Sequence, residues 1–140
     1  MGADEDPVER RSLELENETA DVLSAAGYLV HQNPSRQEVA DARRLTGDTG
    51  DERKSPDYLV EGHVFDCSAP TRSASVRSVW SAVRKKVRKG QAQRVVLNLS
   101  DWGDDLVALQ RQFDEWPLPN VKEVVVVTRG GAIAQLLRRD

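Results

Sequence analysis

Two aspartates lie in residues 55–70 (SPDYLVEGHVFDCSAP), a stretch that otherwise predicts a short β-hairpin. Strands seldom carry aspartate, because its side chain competes for backbone hydrogen bonds and is costly on a half-buried surface. If the central Glu-Gly pair forms a two-residue turn, Val60 pairs with His63, and Asp57 then lies opposite Asp66. Cross-strand partners have Cβ atoms roughly 4.5–5.5 Å apart, so the two carboxylates would be neighbours on one face of the hairpin.

A divalent cation between these carboxylates would turn their repulsion into attraction. Hard ions such as Mg²⁺ are held by one or two carboxylates together with water and phosphate oxygens. We therefore expect Asp57 and Asp66 to bind Mg²⁺, with Mn²⁺ or Zn²⁺ as alternatives. The expectation depends on the register, because a type I turn with a bulge at Gly62 would shift the pairing by one residue. The simpler interpretation is a pair of solvated carboxylates near strand ends.

A third acid comes from the first predicted helix, residues 9–26. At 100° per residue, Glu16 projects from the apolar half of this helix, whereas Glu14, Glu18 and Asp21 gather on the other side. A glutamate directed at the core is rare unless it is paired or bound to metal, so Glu16 is a candidate third ligand. It could instead extend to the edge of the apolar face, which comprises Leu13, Leu15, Ala20, Leu23 and Ala26.

A lysine on the helix predicted over residues 74–89 completes the candidate catalytic group. Lys86 flanks the apolar stripe of that helix and could reach the aspartates, whereas Lys85 points nearly away. Ser68 lies on the same strand face as Asp66, where its hydroxyl could bind a water molecule or a phosphate. The alternative for Lys86 is membership of a solvated basic surface.

The remaining elements follow from periodicity and turn residues. We predict strands over 27–33, 57–60, 63–68, 94–99 and 121–128, and a third helix over 104–113. Residues 34–54 fit a loop, with a possible helical turn at 36–44, and 131–137 fit either an edge strand or a helical turn. The order α-β-β-β-α-β-α-β predicts an α/β sandwich with a mixed central sheet flanked by helices.

Composition restricts the classes of function. The chain has 140 residues, enough for a single domain, and we expect residues 1–8 to be a disordered leader. One cysteine, Cys67, excludes an internal disulfide, and no run approaches the length of a membrane span. The N-terminus lacks the features of a secretory signal, so we do not expect the chain to direct its own export, although it could be part of a larger exported protein.

The formal charge of −3 argues against generic nucleic-acid binding, but the charge is unevenly distributed. The segment 72–94 contains basic residues and no acid, and a phosphate-binding surface there would raise affinity without reading bases. The same run of basic residues is equally consistent with an exposed helix surface whose charges contact only water. The candidate phosphate contacts are Arg72, Arg77, Arg84, Lys85, Arg88 and Lys89.

Two other functions are compatible with these residues. His31 and His63 could act as acid and base on an RNA 2′-hydroxyl without a metal, although their spacing does not favour this. Alternatively, the chain could be a non-enzymatic binding module, such as an immunity protein, whose carboxylates meet a basic partner. Activity that survives EDTA but is lost in a His31→Ala or His63→Ala variant would favour the histidine mechanism. Cellular toxicity that is unchanged by Asp66→Ala would favour the binding module.

The candidate residues resemble the PD-(D/E)xK nuclease superfamily. Pro56-Asp57 matches its Pro-Asp motif, Asp66 matches the acid of the next strand, and Glu16 matches the glutamate of the preceding helix. The chain departs from the usual pattern at Ser68, where the motif lysine is expected. In some members of the superfamily that lysine lies on the following helix, and the resemblance implies this role for Lys86.

Longer blocks resemble a narrower family, the C-terminal tRNase toxin domains of contact-dependent growth inhibition proteins. The blocks are residues 15–34, 56–70 and 86–99. The resemblance implies a metal-dependent endonuclease that cleaves tRNA in a target bacterium and that a cognate immunity protein blocks. It also implies export as the C-terminal part of a larger bacterial surface protein, with action in the target-cell cytoplasm. The cleaved tRNA is not implied, because it differs among these toxins.

Overall fold

In a computed structural model, residues 6–139 fold around a six-stranded mixed sheet. The strands lie in chain order across the sheet: β1 (Val30–Gln32), β2 (Tyr58–Val60), β3 (His63–Ser68), β4 (Arg94–Asn98), β5 (Glu123–Val127) and β6 (Ile133–Arg138). The pairs β1–β2, β2–β3 and β5–β6 are antiparallel, whereas β3–β4 and β4–β5 are parallel. The predicted α/β class with a mixed sheet is confirmed.

Helices cover both faces of the sheet unequally. The helices are α1 (Pro7–Ala25), α2 (Arg36–Thr46), α3 (Val76–Arg88) and α4 (Leu106–Glu115). One core joins α3 and α4 to β4 and β5, with Val83 and Leu109 fully buried. The helix α2 packs against Val64 of β3, whereas α1 packs on the opposite face against Tyr58 and Phe65. Within this part of the chain, no helix has the length and apolar character needed to span a membrane.

The hairpin of β2 and β3 has the register expected of a two-residue turn. Glu61 and Gly62 both have positive φ angles, 51° and 80°, as a type I′ turn requires. Val60 pairs with His63 and Tyr58 pairs with Phe65. Because Asp57 immediately precedes β2, the same count places it opposite Asp66, and the predicted register is confirmed.

Residues 34–54, expected to be a loop with a possible helical turn at 36–44, contain the full helix α2. Ser35 accepts a hydrogen bond from the Glu38 backbone N–H, and the Glu38 side chain accepts one from the Ser35 N–H, forming a capping box. The helix ends at Gly47 in the left-handed conformation, φ 80°. Both signals are present in the sequence, but the surrounding proline, glycines and charges masked them.

Three further expectations need correction. Residues 133–138 form the edge strand β6, so the helical turn considered for the C-terminus is wrong, and with α2 the observed order becomes α-β-α-β-β-α-β-α-β-β.

The helix α1 begins at Pro7, because Asp6 caps it by accepting from Val8 N–H. The predicted leader is therefore wrong for residues 7 and 8, and residues 1–5 lie outside the described range. The Leu13 side chain is 54% exposed and Ala26 is exposed, so the apolar face of α1 is narrower than expected.

A buried ion-pair network joins the loop after α2 to the ends of three strands. The Asp48 carboxylate is buried and accepts hydrogen bonds from Arg94 Nε at 3.0 Å and Lys122 Nζ at 2.9 Å, and it lies 3.1 Å from His63 Nδ1. Arg94 also donates to Glu123 Oε1 at 2.6 Å. Each buried charge thus has an opposite charge within hydrogen-bond distance, as its burial requires.

Candidate functional site

The two aspartates are held by hydrogen bonds that cross the hairpin. Asp66 is 1% exposed, and its Oδ1 accepts a hydrogen bond from the Asp57 backbone N–H at 3.1 Å. In return, Asp57 Oδ2 accepts from the Cys67 backbone N–H at 2.8 Å. The turn fixes this reciprocal pair, because a register shift of one residue would separate both carboxylates from their donors.

Lys86 contacts the aspartate pair directly. Its Nζ lies 2.7 Å from Asp66 Oδ2, and the side chain is 23% exposed. The helix α3 presents Lys86 on the flank of its buried stripe, next to β3, because Val79 and Val83 face the sheet. Lys85 lies on the outer surface and is exposed, so the geometry selects Lys86 rather than its neighbour.

Burial and charge coupling perturb the protonation of this cluster. Burial, and after it the interaction with the Asp57 carboxyl, raise the pKa of Asp66 to about 7, although Lys86 opposes both effects. Burial also raises the pKa of Asp57. Burial alone would lower the pKa of Lys86, but the nearby Asp66 carboxylate outweighs it and raises that pKa. Such perturbed carboxylates cluster at functional sites.

Glu16 reaches the same cluster from α1, although it is half-buried at the side of that helix. Its carboxyl is close enough to Asp57 to raise the pKa of the aspartate through a hydrogen bond and charge repulsion, after the larger effect of burial. The Tyr58 hydroxyl donates to the Glu16 backbone carbonyl at 2.6 Å and so anchors this turn of α1 to β2.

Residues outside the predicted set also position α1. The Asn98 side-chain amide, fully buried at the end of β4, donates to the Leu15 carbonyl at 3.2 Å and to Thr19 Oγ1 at 3.0 Å. Tyr58, Thr19 and Asn98 are not among the functional residues predicted from the sequence. Their polar atoms on core positions are the only signal available in the sequence, because each partner lies far away along the chain.

Ser68 and Cys67 lie on opposite faces of β3. Ser68 is half-buried and shares the face of Asp66, two residues earlier. Cys67 is buried among Tyr58, Phe65 and Val96 on the α1 side. Burial raises the pKa of the Cys67 thiol to about 12. This thiol is therefore a core group and not a nucleophile, because the thiolate is the reactive form.

The basic side chains of the candidate phosphate surface fall into two groups. Arg84, Lys85, Arg88 and Lys89 line a shallow groove with Ser81 on the outer surface of α3, beside the Lys86 flank. Arg77 is exposed near the start of α3, and Arg72 is exposed in the preceding loop. The groove is continuous with the aspartate cluster through consecutive residues of one helix, whereas Arg72 and Arg77 are more remote in sequence from Lys86.

The two histidines do not come together. His31 on β1 pairs across the sheet with Leu59, whereas His63 on β3 pairs with Val60. Neighbouring positions of β2 point to opposite faces, so the two imidazoles lie on opposite sides of the sheet. His31 Nε2 lies 3.1 Å from Glu38, and His63 belongs to the Asp48 network. The structure therefore contradicts a cooperating histidine pair.

The carboxylates offer hard oxygen donors but not a complete metal cage. Among residues 6–139, no group of three or more His, Cys, Asp or Glu side chains is arranged so that it could hold a metal ion. Asp57 and Asp66 nevertheless have the donor chemistry of the two-carboxylate sites in which water and phosphate oxygens complete the coordination of Mg²⁺. In the present arrangement, the ammonium of Lys86 provides the positive charge beside Asp66.

Comparisons with known proteins agree with this arrangement of elements. Residues 54–133, which include the hairpin and α3, match the family model described as the contact-dependent growth inhibition CdiA C-terminal domain. The chain is 36% identical over 128 residues to "tRNA nuclease CdiA-2" of Burkholderia pseudomallei (strain 1026b), covering 91% of this chain and 4% of that relative. The chain thus spans a small fraction of the relative's length.

A solved structure shares both the fold and the sequence. It is described as the CdiA-CT/CdiI toxin and immunity complex from Burkholderia pseudomallei, with a TM-score of 0.77 and 34% identity. The similarity covers 94% of this chain and 88% of that one. An immunity-type identity for this chain is therefore not supported, since the matching family model describes the CdiA side. The chain belongs to the family of contact-dependent growth inhibition CdiA C-terminal domains.

Proposed function

We propose that this chain is a metal-dependent endoribonuclease toxin that hydrolyses phosphodiester bonds of tRNA. The observation that carries the proposal is the contact of Lys86 with a buried Asp66 whose neighbour across the hairpin is Asp57. Two carboxylates and a cation, gathered at one side of a sheet beside a basic groove, suit phosphodiester chemistry. The name of the 36% identical relative, a tRNA nuclease, supports the choice of substrate.

The metal ligands we propose are Asp57 and Asp66, with Glu16 as a third ligand or as the group that positions a water molecule. Mg²⁺ is the expected ion, because all three donors are carboxylate oxygens. When bound, the ion would lower the pKa of water so that it can attack phosphorus. This assignment also places the chain, by proposal, in the PD-(D/E)xK superfamily, with the motif lysine supplied by α3.

Lys86 offsets the negative charge that develops on phosphorus during the attack. Its ammonium is partly buried, and electrostatic stabilisation is stronger there than in bulk water. Ser68, on the face of Asp66, donates its hydroxyl hydrogen to a phosphate oxygen or accepts from the attacking water. Phosphate contacts come from the groove on α3 and from the flanking arginines, namely Arg72, Arg77, Arg84, Lys85, Arg88 and Lys89.

The proposed biological setting follows from the family. We propose that the chain is the C-terminal part of a larger surface-exported protein and that it acts in the cytoplasm of a target bacterium. The similar solved structure is a toxin and immunity complex, which supports a cognate immunity protein that binds this chain and blocks its activity. That protein would protect the producing cell from its own toxin.

Incubation of total tRNA with the purified chain in Mg²⁺, with and without EDTA, tests the proposal. We expect discrete cleavage products in Mg²⁺ and intact tRNA in EDTA, because the bound ion would lower the pKa of the attacking water. Asp57→Ala should leave tRNA intact in both conditions. Asp21→Ala is a matched control, since Asp21 is exposed on α1, and it should cleave like the wild type.

Cleavage that continues in EDTA would contradict the role of the metal. Equal cleavage by Asp57→Ala and wild type would contradict the assignment of the site. Intact tRNA in every reaction, including reactions supplemented with a bacterial lysate that supplies any host activator, would contradict the nuclease function.

A further inference from the structure

A second concave feature lies on the far flank of α3 from Lys86. It is a cleft of about 220 Å³ between α3 and the segment that follows α4, with Arg84, Val87 and Arg88 on one side and Leu118, Pro119 and Asn120 on the other. Val87, Leu118 and Pro119 give the cleft an apolar part, and Arg84, Arg88 and Asn120 contribute two guanidinium groups and a side-chain amide.

An exposed tryptophan, Trp116, lies two residues before the cleft residue Leu118 in the chain. Trp116 is 60% exposed at the end of α4, and its backbone carbonyl accepts a hydrogen bond from Trp80 Nε1 at 3.0 Å. The guanidinium of Arg84, a cleft residue, lies 5.9 Å from the centre of the Trp80 ring, within the range of a cation–π contact. Arg84 therefore links the cleft to the Trp80 indole, which in turn holds the backbone of Trp116. Tryptophan and arginine together are characteristic of binding surfaces.

The basic groove connects this cleft to the aspartate cluster. Arg84 and Arg88 line both the cleft and the groove, which Lys85 and Lys89 continue over the outer surface of α3. At 100° per residue, Arg84 and Lys86 are about 200° apart around the helix axis, so they occupy opposite flanks. A polyanion that leaves the cluster and crosses α3, a helix about 10–12 Å in diameter, would thus meet cations along its whole path.

We propose that the cleft and Trp116 form a nucleotide subsite that binds an unpaired base of the RNA substrate a few nucleotides from the scissile bond. The inference rests on the proposed function for the identity of the ligand as RNA. Val87, Leu118 and Pro119 contact the base, and Trp116 stacks on it or on its neighbour. Base–aromatic stacking tolerates every base, because each one has a π-face.

The amide of Asn120 gives the subsite a means of discrimination. A side-chain amide carries both a donor and an acceptor, so Asn120 can bond the edge of a base that no longer has its Watson–Crick partner. Duplex RNA keeps its bases stacked and its edges paired, and single-stranded segments are the parts of RNA that proteins read in this way. The cleft therefore selects for a single-stranded segment next to the cleaved position.

Binding of labelled RNA to the Asp57→Ala chain, which should not hydrolyse it, tests the subsite. The probes are a single-stranded hexanucleotide of mixed sequence and a blunt RNA duplex, measured by fluorescence anisotropy at several salt concentrations. Adding Trp116→Ala should weaken hexanucleotide binding about tenfold, within the stacking range, and change duplex binding less than about twofold. Asn120→Ala should act in the same direction.

The salt dependence separates stacking from charge. Trp116→Ala should leave the salt slope unchanged, whereas Arg88→Ala should weaken both probes and reduce the slope by about one. Val107→Ala is the control, because Val107 is a 64% exposed apolar residue on α4 outside the cleft, and it should bind like the parent. Thermal melting verifies the fold of each variant; the Trp116 backbone carbonyl that holds Trp80 survives the substitution.

Unchanged hexanucleotide binding in both Trp116→Ala and Asn120→Ala would overturn the subsite, as would a parent chain that binds neither probe. If Trp116→Ala and Asn120→Ala lost affinity for the immunity protein but not for RNA, the cleft would belong to the immunity-protein interface, and the nucleotide subsite would be overturned. Parallel tRNA cleavage by the wild type distinguishes the two proposals. If Trp116→Ala weakens RNA binding but the wild type does not cleave tRNA, the subsite is supported and the nuclease function is contradicted. If the wild type cleaves tRNA but Trp116→Ala binds RNA as well as the parent, only the subsite is contradicted.

Discussion

Lys86 is the residue on which the interpretation of the site depends most. A lysine within a basic run is usually solvated, yet its ammonium is 2.7 Å from a buried carboxylate, and Lys85 beside it is exposed. The difference arises from the helix periodicity of 3.6 residues per turn, which rotates adjacent side chains by 100°. One basic run therefore supplies both a cation beside the aspartates and cations for the outer surface.

Substitution of each lysine separates these two roles. We expect Lys86→Ala to reduce the rate of tRNA cleavage at saturating substrate by roughly 10²–10³-fold, the usual loss for a group that stabilises charge in the transition state. Lys85→Ala should weaken tRNA binding, reduce its salt slope by about one and leave the saturating rate unchanged. Single-turnover kinetics measure both quantities, and a larger rate loss in Lys85→Ala would reverse the assignment.

At the level of secondary structure, α2 orders the first half of the segment that connects β1 to β2. Its capping box satisfies backbone N–H groups that a helix end otherwise leaves unpaired. The buried Val39 and Ala42 pack on Val64, two residues before Asp66 on β3. The helix thereby supports the hairpin from the same face of the sheet as α3, and it also leads into the loop that carries Asp48.

Removal of the cap tests the stability contributed by α2. Ser35→Ala should lower the free energy of unfolding by about 1 kcal/mol, because the Glu38 N–H loses its acceptor. Urea unfolding followed by circular dichroism measures this change. Ser73→Ala, at an exposed position outside the helices, should be neutral, and an equally neutral Ser35→Ala would show that α2 contributes little to stability.

For the whole molecule, the Asp48 network couples the α2–β2 loop to β3, β4 and β5. Burial alone would raise the pKa of Asp48, but hydrogen bonds from Arg94, Lys122 and His63 lower it to about 2. A carboxyl group with a depressed pKa in the folded state stabilises the fold above its unfolded pKa of about 3.9. That stabilisation is lost as the pH falls through the folded value.

Asp48→Asn should therefore have a pH-dependent effect. At pH 7 we expect the variant to be less stable than the wild type by about 3 kcal/mol, since Arg94 then keeps a buried charge with one partner fewer. The difference should persist to about pH 4 and shrink towards pH 2, where the wild type also loses the charge. Urea unfolding at a series of pH values measures it; a pH-independent difference would contradict the network, and Asp21→Asn is the exposed control.

Features that depend on neighbouring residues could be predicted from the amino-acid sequence. The Glu61-Gly62 pair predicted a two-residue turn and hence the position of Asp57 opposite Asp66, and the structure decided for this turn over the bulged alternative. Periodicity likewise gave the flank of α3 on which Lys86 lies. Ser35 and Glu38 also specified a helix, but that signal was overlooked among turn residues.

Contacts between distant segments of the chain could be seen only in the folded structure. The orientation of α1, which leaves Leu13 exposed, depends on bonds from Tyr58 and Asn98 to its backbone across some 40 and 80 positions of the chain. The same is true of the Asp48 network and of the cleft between α3 and the segment after α4. Such contacts follow from the packing of whole elements, and no local pattern of residue types encodes them.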